Sequence, residues 1–231
     1  WQRQPNAMSV QQKIEQALNT LLKIPVTIVG AGRTDAGVHA RQMFAHMEFT
    51  ESLDCSVLKN RLNRFLPQDI AIQRIFSVPD NAHARFDATS RTYEYWVSLG
   101  KDPFMNDRAY LLHKTPNFEL MNEVALSMLE HRDFECFSKS KSDVMTYICQ
   151  VTYARWVQKG NIWVFTISAD RFLRNMVRAV VGTLLEVGWG KIADEGFKSV
   201  LNSKNRSVAG PSVPGHALYL TKIEYPEGIL T

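Results

Sequence analysis

Residues 30–37 read Gly-Ala-Gly-Arg-Thr-Asp-Ala-Gly and follow a short apolar run, residues 26–29, that predicts a β-strand. The glycines favour a tight turn after this strand, and the turn presents Arg33, Asp35 and, slightly further on, His39. A dinucleotide-binding loop would need a glycine where Asp35 stands, and a carboxylate there would repel a pyrophosphate. Two interpretations of Asp35 remain open: a functional carboxylate, or a turn residue whose side chain accepts hydrogen bonds from backbone amides.

The sequence around this loop predicts an N-terminal α/β domain. A capping-box pattern at residues 9–12 predicts a helix ahead of the loop. The elements predicted after the loop are a returning strand at residues 44–49, a helix capped by Asp54 and a strand at residues 70–78. Residues 79–89 are polar and irregular, and we place a domain boundary there. The prediction is an N-terminal domain of residues 1–88, which carries the Asp35 loop, and a C-terminal domain of residues 89–231.

The second half of the chain predicts long strands interspersed with helices. The predicted strands are residues 91–99, 145–158, 162–169 and 217–225, and the predicted helices are residues 118–131, 171–187 and 194–201. Several strands follow one another directly, without an intervening helix. This order favours the α+β class with a largely antiparallel sheet over a strict βαβ array.

Three arginines mark the helix predicted at residues 171–187. Arg171, Arg174 and Arg178 would form one narrow stripe on a helix that is otherwise almost wholly apolar. Arginine is rarely buried without a partner, so the stripe would line a cleft, meet carboxylates or meet phosphates. The alternative is a solvated arginine edge. Gly182 continues the same face and would let another backbone or a nucleic acid approach closely.

The composition excludes several classes of protein. The 231 residues carry a net charge of +4, and this mild basic excess fits a polyanionic partner such as RNA but also fits many ordinary enzymes. The three cysteines form no Cys-x-x-Cys pair, and the histidines have no metal-ligand spacing, so we expect neither a metal nor a cofactor. No apolar run is long enough to predict a membrane span.

Several motifs together resemble the tRNA pseudouridine synthase A (TruA) family, and the resemblance covers nearly the whole chain. The most specific is Gly32-Arg33-Thr34-Asp35-Ala36-Gly37-Val38-His39, which is similar to the signature loop of that family. The other matching segments are Trp1-Gln2-Arg3-Gln4, His83-Ala84-Arg85-Phe86, Arg91-x-Tyr93-x-Tyr95, Phe172-x-x-x-Met176-Val177-Arg178, Gly182-x-Leu184-x-Glu186-Val187-Gly188 and Ala217-Leu218-Tyr219-Leu220. The family opens with a strand and a Tyr-Asp-Gly segment that are absent here, so we expect the natural N-terminus to lie upstream of Trp1.

The resemblance implies a pseudouridine synthase fold. This fold has two α/β subdomains with mostly antiparallel mixed sheets, flanked by helices, and a central active-site cleft. It also implies an isomerase that converts uridine to pseudouridine at positions 38, 39 and 40 in the anticodon stem-loop of tRNA. The implied enzyme is a cytoplasmic homodimer that uses no cofactor and no metal and has no membrane partner. An alternative from another class is a non-catalytic RNA-binding protein on the same fold, which would have no use for Asp35.

The resemblance also implies roles for individual residues. Asp35 would be the catalytic nucleophile and Arg178 its ion-pair partner. Tyr93 would stack on the target base and assist proton transfer, although a strand tyrosine is otherwise most often a core residue. The candidates for contacts with the base or the RNA backbone are Arg33, His39, Arg41, Arg85, Lys139, Lys141, Arg171, Arg174 and Leu220, with Leu218 as an alternative apolar wall.

Overall fold

A computed structural model of the protein describes residues 1–50, 52–139 and 145–230. Contacts group the chain into two compact units. The first unit consists of Trp1–Thr34, Met43–Ala88 and Tyr225–Thr231, and the second of Asp35–Gln42 and Thr89–Glu224.

The two units contain eight strands and six helices within the described residues. The strands are β1 (Val29–Gly30), β2 (His39–Ala40), β3 (Ala45–His46), β4 (Ser90–Ser98), β5 (Tyr110–Leu111), β6 (Val151–Lys159), β7 (Ile162–Ala169) and β8 (Leu218–Glu224). The helices are α1 (Val10–Leu22), α2 (Cys55–Phe65), α3 (Phe118–Ala125), α4 (Ser127–Glu130), α5 (Met176–Gly188) and α6 (Asp194–Ser203). Short 3-10 helices lie at Pro103–Met105, Glu135–Phe137, Arg206–Val208 and Gly215–Ala217.

The first unit is built on α1 and α2, which pack against each other. Ser9 caps α1 by accepting a hydrogen bond from the backbone nitrogen of Gln12 at 3.2 Å, which confirms the predicted start of this helix. Asp54 caps α2 in the same way. The apolar faces of both helices close a small core, and β1 and β3 form a two-stranded antiparallel sheet.

The strand predicted at residues 70–78 does not form. Its apolar residues Ile70, Ile72 and Ile75 do pack against the core of the first unit. The backbone of Ile72, however, bonds to a side chain: its nitrogen donates to Oδ1 of Asn63 at 2.7 Å, and its carbonyl accepts from Nδ2 at 2.8 Å. An amide side chain on α2 therefore replaces the neighbouring strand that the alternating sequence predicts.

The second unit contains a mixed six-stranded sheet in the order β2-β8-β4-β7-β6, with β5 paired to β4. The β4, β6, β7 and β8 pairings are antiparallel, whereas β2 pairs with β8 and β5 with β4 in parallel. This mixture of helices with a largely antiparallel sheet confirms the predicted α+β class.

The main core lies between this sheet and the helices of the second unit. The largest fully buried side chains include Tyr95 on β4, Trp156 on β6 and Phe165 on β7. α5 is buried along most of its length, and α3 packs against both α5 and β6. In the described part of the chain, no helix combines the length and apolar character needed to cross a bilayer.

Asp35 and the residues that follow it belong to the second unit. The sequence predicts Asp35 in an N-terminal domain of residues 1–88, but the contacts group Asp35–Gln42 with the second unit, where β2 pairs with β8. The division into domains of residues 1–88 and 89–231 stays a prediction about folding units. The pairing of β2 with β8 brings the loop next to α5.

Candidate active site

Asp35 and Arg178 are 143 positions apart in the chain and meet in the second unit. Nη1 of Arg178 donates to Oδ2 of Asp35 at 2.9 Å. The side chain of Arg178 is 24% exposed and that of Asp35 is 30% exposed, so the pair is accessible from solvent. Among the described residues, the other carboxylate oxygen of Asp35 has no hydrogen-bond partner. One oxygen is thus held by a guanidinium while the second is available to a ligand.

Arg178 is held by a second acceptor. It lies in the first turn of α5, and its Nε donates to the carbonyl of Val213 at 2.7 Å. The backbone nitrogen of Val213 donates in turn to the carbonyl of Arg178 at 3.2 Å. Because the guanidinium is planar, bonds from Nε and Nη1 to two different acceptors fix both its position and its orientation.

The Asp35 loop is fixed to the sheet by backbone bonds. Gly37 has a φ of +79°, in the left-handed region that favours glycine, and turns the chain towards β2. His39 and Ala40 then pair with β8, and the nitrogen of Arg41 donates to the carbonyl of Leu220 at 2.8 Å. The loop is therefore tied to a strand of the sheet immediately after Asp35.

Side chains reinforce this attachment through a stack of rings. His39 stacks on Tyr219 with 4.7 Å between ring centroids, and Tyr219 stacks on Trp96 at 4.3 Å. The guanidinium of Arg41 lies 5.0 Å above the Trp96 ring, and a ring nitrogen of His39 lies 2.9 Å from the carbonyl of His216. His39 and Arg41 thus contact other parts of the second unit, and their predicted contacts with RNA stay predictions.

Tyr93 lies on β4 directly opposite Leu220 of β8. Its ring is half-buried and meets Phe172 edge-on at 5.2 Å, whereas Leu220 is buried. Burial raises the pKa of Tyr93 to about 12, and the charges of Arg91 and Asp35 act on it in opposite directions, Arg91 lowering and Asp35 raising it. In the part of the chain that the structure describes, the Tyr93 hydroxyl has no hydrogen-bond partner. An aromatic ring with an unused hydroxyl therefore lies within electrostatic range of Asp35.

Comparisons with known proteins identify the family of this chain. The sequence pattern of the family described as tRNA pseudouridine synthase matches residues 1–87 and 128–226. The chain belongs to the tRNA pseudouridine synthase family. It is 56% identical to tRNA pseudouridine synthase A of Parabacteroides distasonis, over 98% of this chain and 90% of the relative. It is similar to proteins of the same name from Bacteroides thetaiotaomicron, at 50% identity over 100% and 87% of the two chains, and Streptococcus thermophilus, at 39% over 97% and 93%.

Membership of the tRNA pseudouridine synthase family confirms the resemblance found in the motifs and the predicted enzyme class, an isomerase. The relatives match nearly the whole chain, so both units belong to the family pattern. The roles of individual residues rest on the geometry and are argued below as a proposal.

The predicted arginine stripe is wrong in its geometry. α5 begins at Met176 because Asn175 has a φ of 69° and its side-chain nitrogen donates to the Ser212 hydroxyl, so the helix does not extend upstream. Arg171 and Arg174 therefore precede the helix and do not share a helical face with Arg178. Arg174 is exposed and Arg171 is half-buried, and neither guanidinium has a hydrogen-bond acceptor within the described residues. Both guanidinium groups remain available to an external anion.

Two of the predicted RNA contacts lie in the first unit. Arg33 is exposed, and the guanidinium of Arg85 lies 5.5 Å from the centre of the Phe86 ring. In the second unit, the backbone nitrogen of Lys139 donates to the carbonyl of Arg174 at 3.1 Å. Lys141 lies outside the described residues. Contacts of these four side chains with RNA stay predictions.

The segment that precedes β8 contributes to the site, although the sequence patterns did not predict this. Val213 is the second acceptor for Arg178, and His216 supplies the carbonyl that faces His39. Residues 209–216 read Ala-Gly-Pro-Ser-Val-Pro-Gly-His, a density of glycine and proline that indicates a loop. That density was the available signal, but it does not reveal which side chains the loop contacts.

Proposed function

We propose that this protein isomerises uridine to pseudouridine at positions 38, 39 and 40 in the anticodon stem-loop of tRNA. The observation that carries the proposal is the Asp35–Arg178 pair, with one free carboxylate oxygen and the Tyr93 ring within electrostatic range. Membership of the tRNA pseudouridine synthase family supports the reaction type. The positions within tRNA follow from the motif resemblance.

The reaction needs a carboxylate beside the sugar and base, and we assign this role to Asp35. The N1–C1′ bond of uridine breaks, the uracil rotates, and a C5–C1′ bond forms. C5 then loses its proton and N1 gains one, so that substrate and product are isomers. The carboxylate forms a transient bond to C6 of uracil or to C1′ of the ribose and is released at the end. The free oxygen of Asp35 is the atom we assign to this bond.

Arg178 acts in this proposal by aiming the nucleophile. Its guanidinium attracts the carboxylate by opposite charge, and the 2.9 Å hydrogen bond fixes the geometry of the pair. Because Arg178 is itself held by Val213, its position does not depend on bound substrate. Such preorganisation supports catalysis, since the site need not rearrange during the reaction.

Tyr93 acts by stacking on the extruded uracil. A target base in folded RNA must leave its stack, which costs a few kcal/mol, and stacking on an aromatic ring recovers about 1–3 kcal/mol. A phenol with a pKa of about 12 is protonated at neutral pH, so Tyr93 suits stacking and hydrogen-bond donation better than acceptance of the C5 proton. Leu220 would form part of the apolar wall beside the ring.

The exposed arginines would bind the RNA backbone. RNA helices are recognised mainly by shape and by phosphate contacts. The side chains we assign to these contacts are Arg33, His39, Arg41, Arg85, Arg171 and Arg174. From the family resemblance we further propose a cytoplasmic homodimer in which each tRNA contacts both subunits. Light scattering tests the dimer, with a mass about twice the 26.3 kDa of one chain as the expected result.

The test of substrate and reaction uses tRNA transcripts with a single uridine at position 38, 39 or 40. The purified protein should form pseudouridine in each transcript, detected by mass spectrometry of the digested RNA. A transcript with cytidine at all three positions is the control and should remain unmodified. Conversion only elsewhere in the tRNA would overturn the assigned positions. Tight binding without conversion of any uridine would favour the non-catalytic RNA-binding alternative.

A further inference from the structure

Residues 209–216, called the strap from here on, contact Arg178 and the loop that carries Asp35. At one point the carbonyl of Val213 accepts the 2.7 Å hydrogen bond from Nε of Arg178. At its end, the His216 carbonyl faces the ring of His39 at 2.9 Å. A Cβ atom added to Gly215 would lie only 2.7 Å from the carbonyl oxygen of Ala36, the residue after Asp35. The strap therefore bridges the guanidinium and the loop that carries the carboxylate.

The strap lies directly on the backbone of α5. A Cβ atom at Gly182 would lie 1.7 Å from the carbonyl oxygen of Pro211, so only glycine permits this contact. The nitrogen of Gly210 donates to the hydroxyl of Thr183 at 2.9 Å, and that buried hydroxyl donates to Ala179 at 2.8 Å. Of the two partners that the sequence allows for Gly182, a backbone or a nucleic acid, the structure contains a backbone.

Arg206 holds the first half of the strap. Its Nη1 donates to the carbonyls of Ala209 at 3.3 Å and Gly210 at 3.0 Å, and its Nη2 donates to the hydroxyl of Ser212 at 2.9 Å. The Ser212 hydroxyl also accepts from Asn175 at 2.6 Å, the residue that sets the start of α5. One guanidinium thus fixes the backbone immediately before Val213, whose carbonyl orients Arg178.

We propose that Arg206 is a positioning residue for the isomerisation and acts through the strap on Arg178. Without the Arg206 guanidinium, the strap would lose three of the hydrogen bonds that define the position of the Val213 carbonyl. The carbonyl would then hold Nε of Arg178 less firmly, and the carboxylate of Asp35 would lose part of its fixed geometry. The proposal rests on the proposed function of Asp35 and Arg178. Misplacement of a reacting group by about 1 Å can reduce a rate by up to about 10²-fold.

The first test compares Arg206→Gln and Arg206→Lys with the wild type in steady-state pseudouridine formation. In Arg206→Gln we expect kcat to fall about 10-fold while KM for tRNA changes less than about twofold, because the strap affects the chemical step. The kcat of Arg206→Lys should lie between those of the wild type and Arg206→Gln, since an ammonium group replaces part of the guanidinium hydrogen bonding. Arg155→Gln, which removes an exposed arginine on β6, is the matched control and should leave kcat unchanged. A raised KM with unchanged kcat would overturn the proposal and make Arg206 an RNA contact.

The second test is a double-mutant cycle with Arg178→Gln, measured as single-turnover release of tritium from uracil C5. If Arg206 acts through Arg178, Arg206→Gln should reduce the rate in the wild type but hardly at all in Arg178→Gln. Independent, multiplying effects would overturn this inference and leave the proposed function intact. An unchanged rate in Arg178→Gln itself would instead contradict the proposed function. If Arg206→Gln does not fold, Ser212→Ala, which removes the shared hydroxyl, should show the same non-additivity, and additivity there would overturn the inference.

Discussion

Two groups of side chains in the second unit differ in what holds them. Asp35, Arg178 and Tyr93, called the anchored group, are packed or hydrogen-bonded within the second unit. Arg171 and Arg174, called the open arginines, lie just before α5, and their guanidinium groups have no acceptor among the described residues. Arginines that are close in sequence therefore differ in whether the protein supplies an acceptor for the guanidinium. We expect the anchored group to govern the chemical step and the open arginines to govern RNA binding.

The largest expected effect comes from Asp35→Asn, which keeps the size of the side chain and removes its charge. We expect kcat to fall at least about 10³-fold, because removal of a nucleophile eliminates the covalent step. Binding of tRNA should change less than about twofold, since the anchored group makes few phosphate contacts in this account. Steady-state assays and filter binding measure the two quantities. Asp69→Asn, at an exposed position, is the control and should match the wild type.

Arg178→Lys tests whether geometry as well as charge matters in the anchored group. An ammonium cannot reproduce the bonds from Nε to Val213 and from Nη1 to Asp35 together. We expect kcat to fall about 10²-fold, or about 2.7 kcal/mol in the activation free energy, with little change in tRNA binding. Activity equal to the wild type would mean that a positive charge alone suffices. The hydrogen bonds of Arg178 would then not explain why the anchored group governs the chemical step.

Tyr93→Phe tests one member of the anchored group through the free energy of unfolding at alkaline pH. The unfolded chain releases the Tyr93 proton near its ordinary pKa of 10.0, whereas the folded protein keeps it until about 12. The stabilising contribution is therefore complete below pH 10 and is lost as the pH rises to 12, with a magnitude of up to about 2 kcal/mol. Denaturant unfolding at pH 8 and pH 11.5 should show a smaller loss of unfolding free energy in Tyr93→Phe than in the wild type. Equal losses would contradict the buried, neutral state of Tyr93.

The smallest expected effects come from the open arginines. Arg171→Gln and Arg174→Gln should each raise KM for tRNA several-fold and leave kcat unchanged, because each removes a guanidinium that we propose binds a phosphate. The slope of log affinity against log salt concentration should fall by about 1 for each arginine removed. A fall in kcat without a change in the salt dependence would mean that these arginines act on the chemical step, as the anchored group does. It would contradict the expected difference between the two groups.

Much of the fold could be predicted because local signals and packing agree. The cap at Ser9, the cap at Asp54 and the strand β7 all follow from patterns within a few residues. The strand at residues 70–78 could not be excluded from the sequence, because the side chain of Asn63 that replaces its neighbour lies on another element. The start of α5 was missed because the left-handed backbone of Asn175 depends on the strap.

The candidate site also has parts that the sequence predicts and parts that it does not. The turn around Asp35 and the arginine pattern that includes Arg178 are visible in the sequence, whereas the roles of Arg178 and Tyr93 came from the family resemblance. The strap and Arg206 act mainly through backbone carbonyls, which any residue type supplies, so the sequence carries little trace of them. The prolines of the strap restrict the backbone and its glycines permit close approach, but the partners of each carbonyl are set by tertiary packing.

The most direct measurement is single-turnover release of tritium from C5 of uracil in labelled tRNA, with enzyme in excess and saturating. We expect release by the wild type and by Arg174→Gln at the same rate, since saturation removes the effect of weaker binding. Asp35→Asn, bound to the same RNA, should release tritium no faster than the RNA alone. Release by Asp35→Asn at the wild-type rate would contradict the assignment of the reaction to the carboxylate that Arg178 holds.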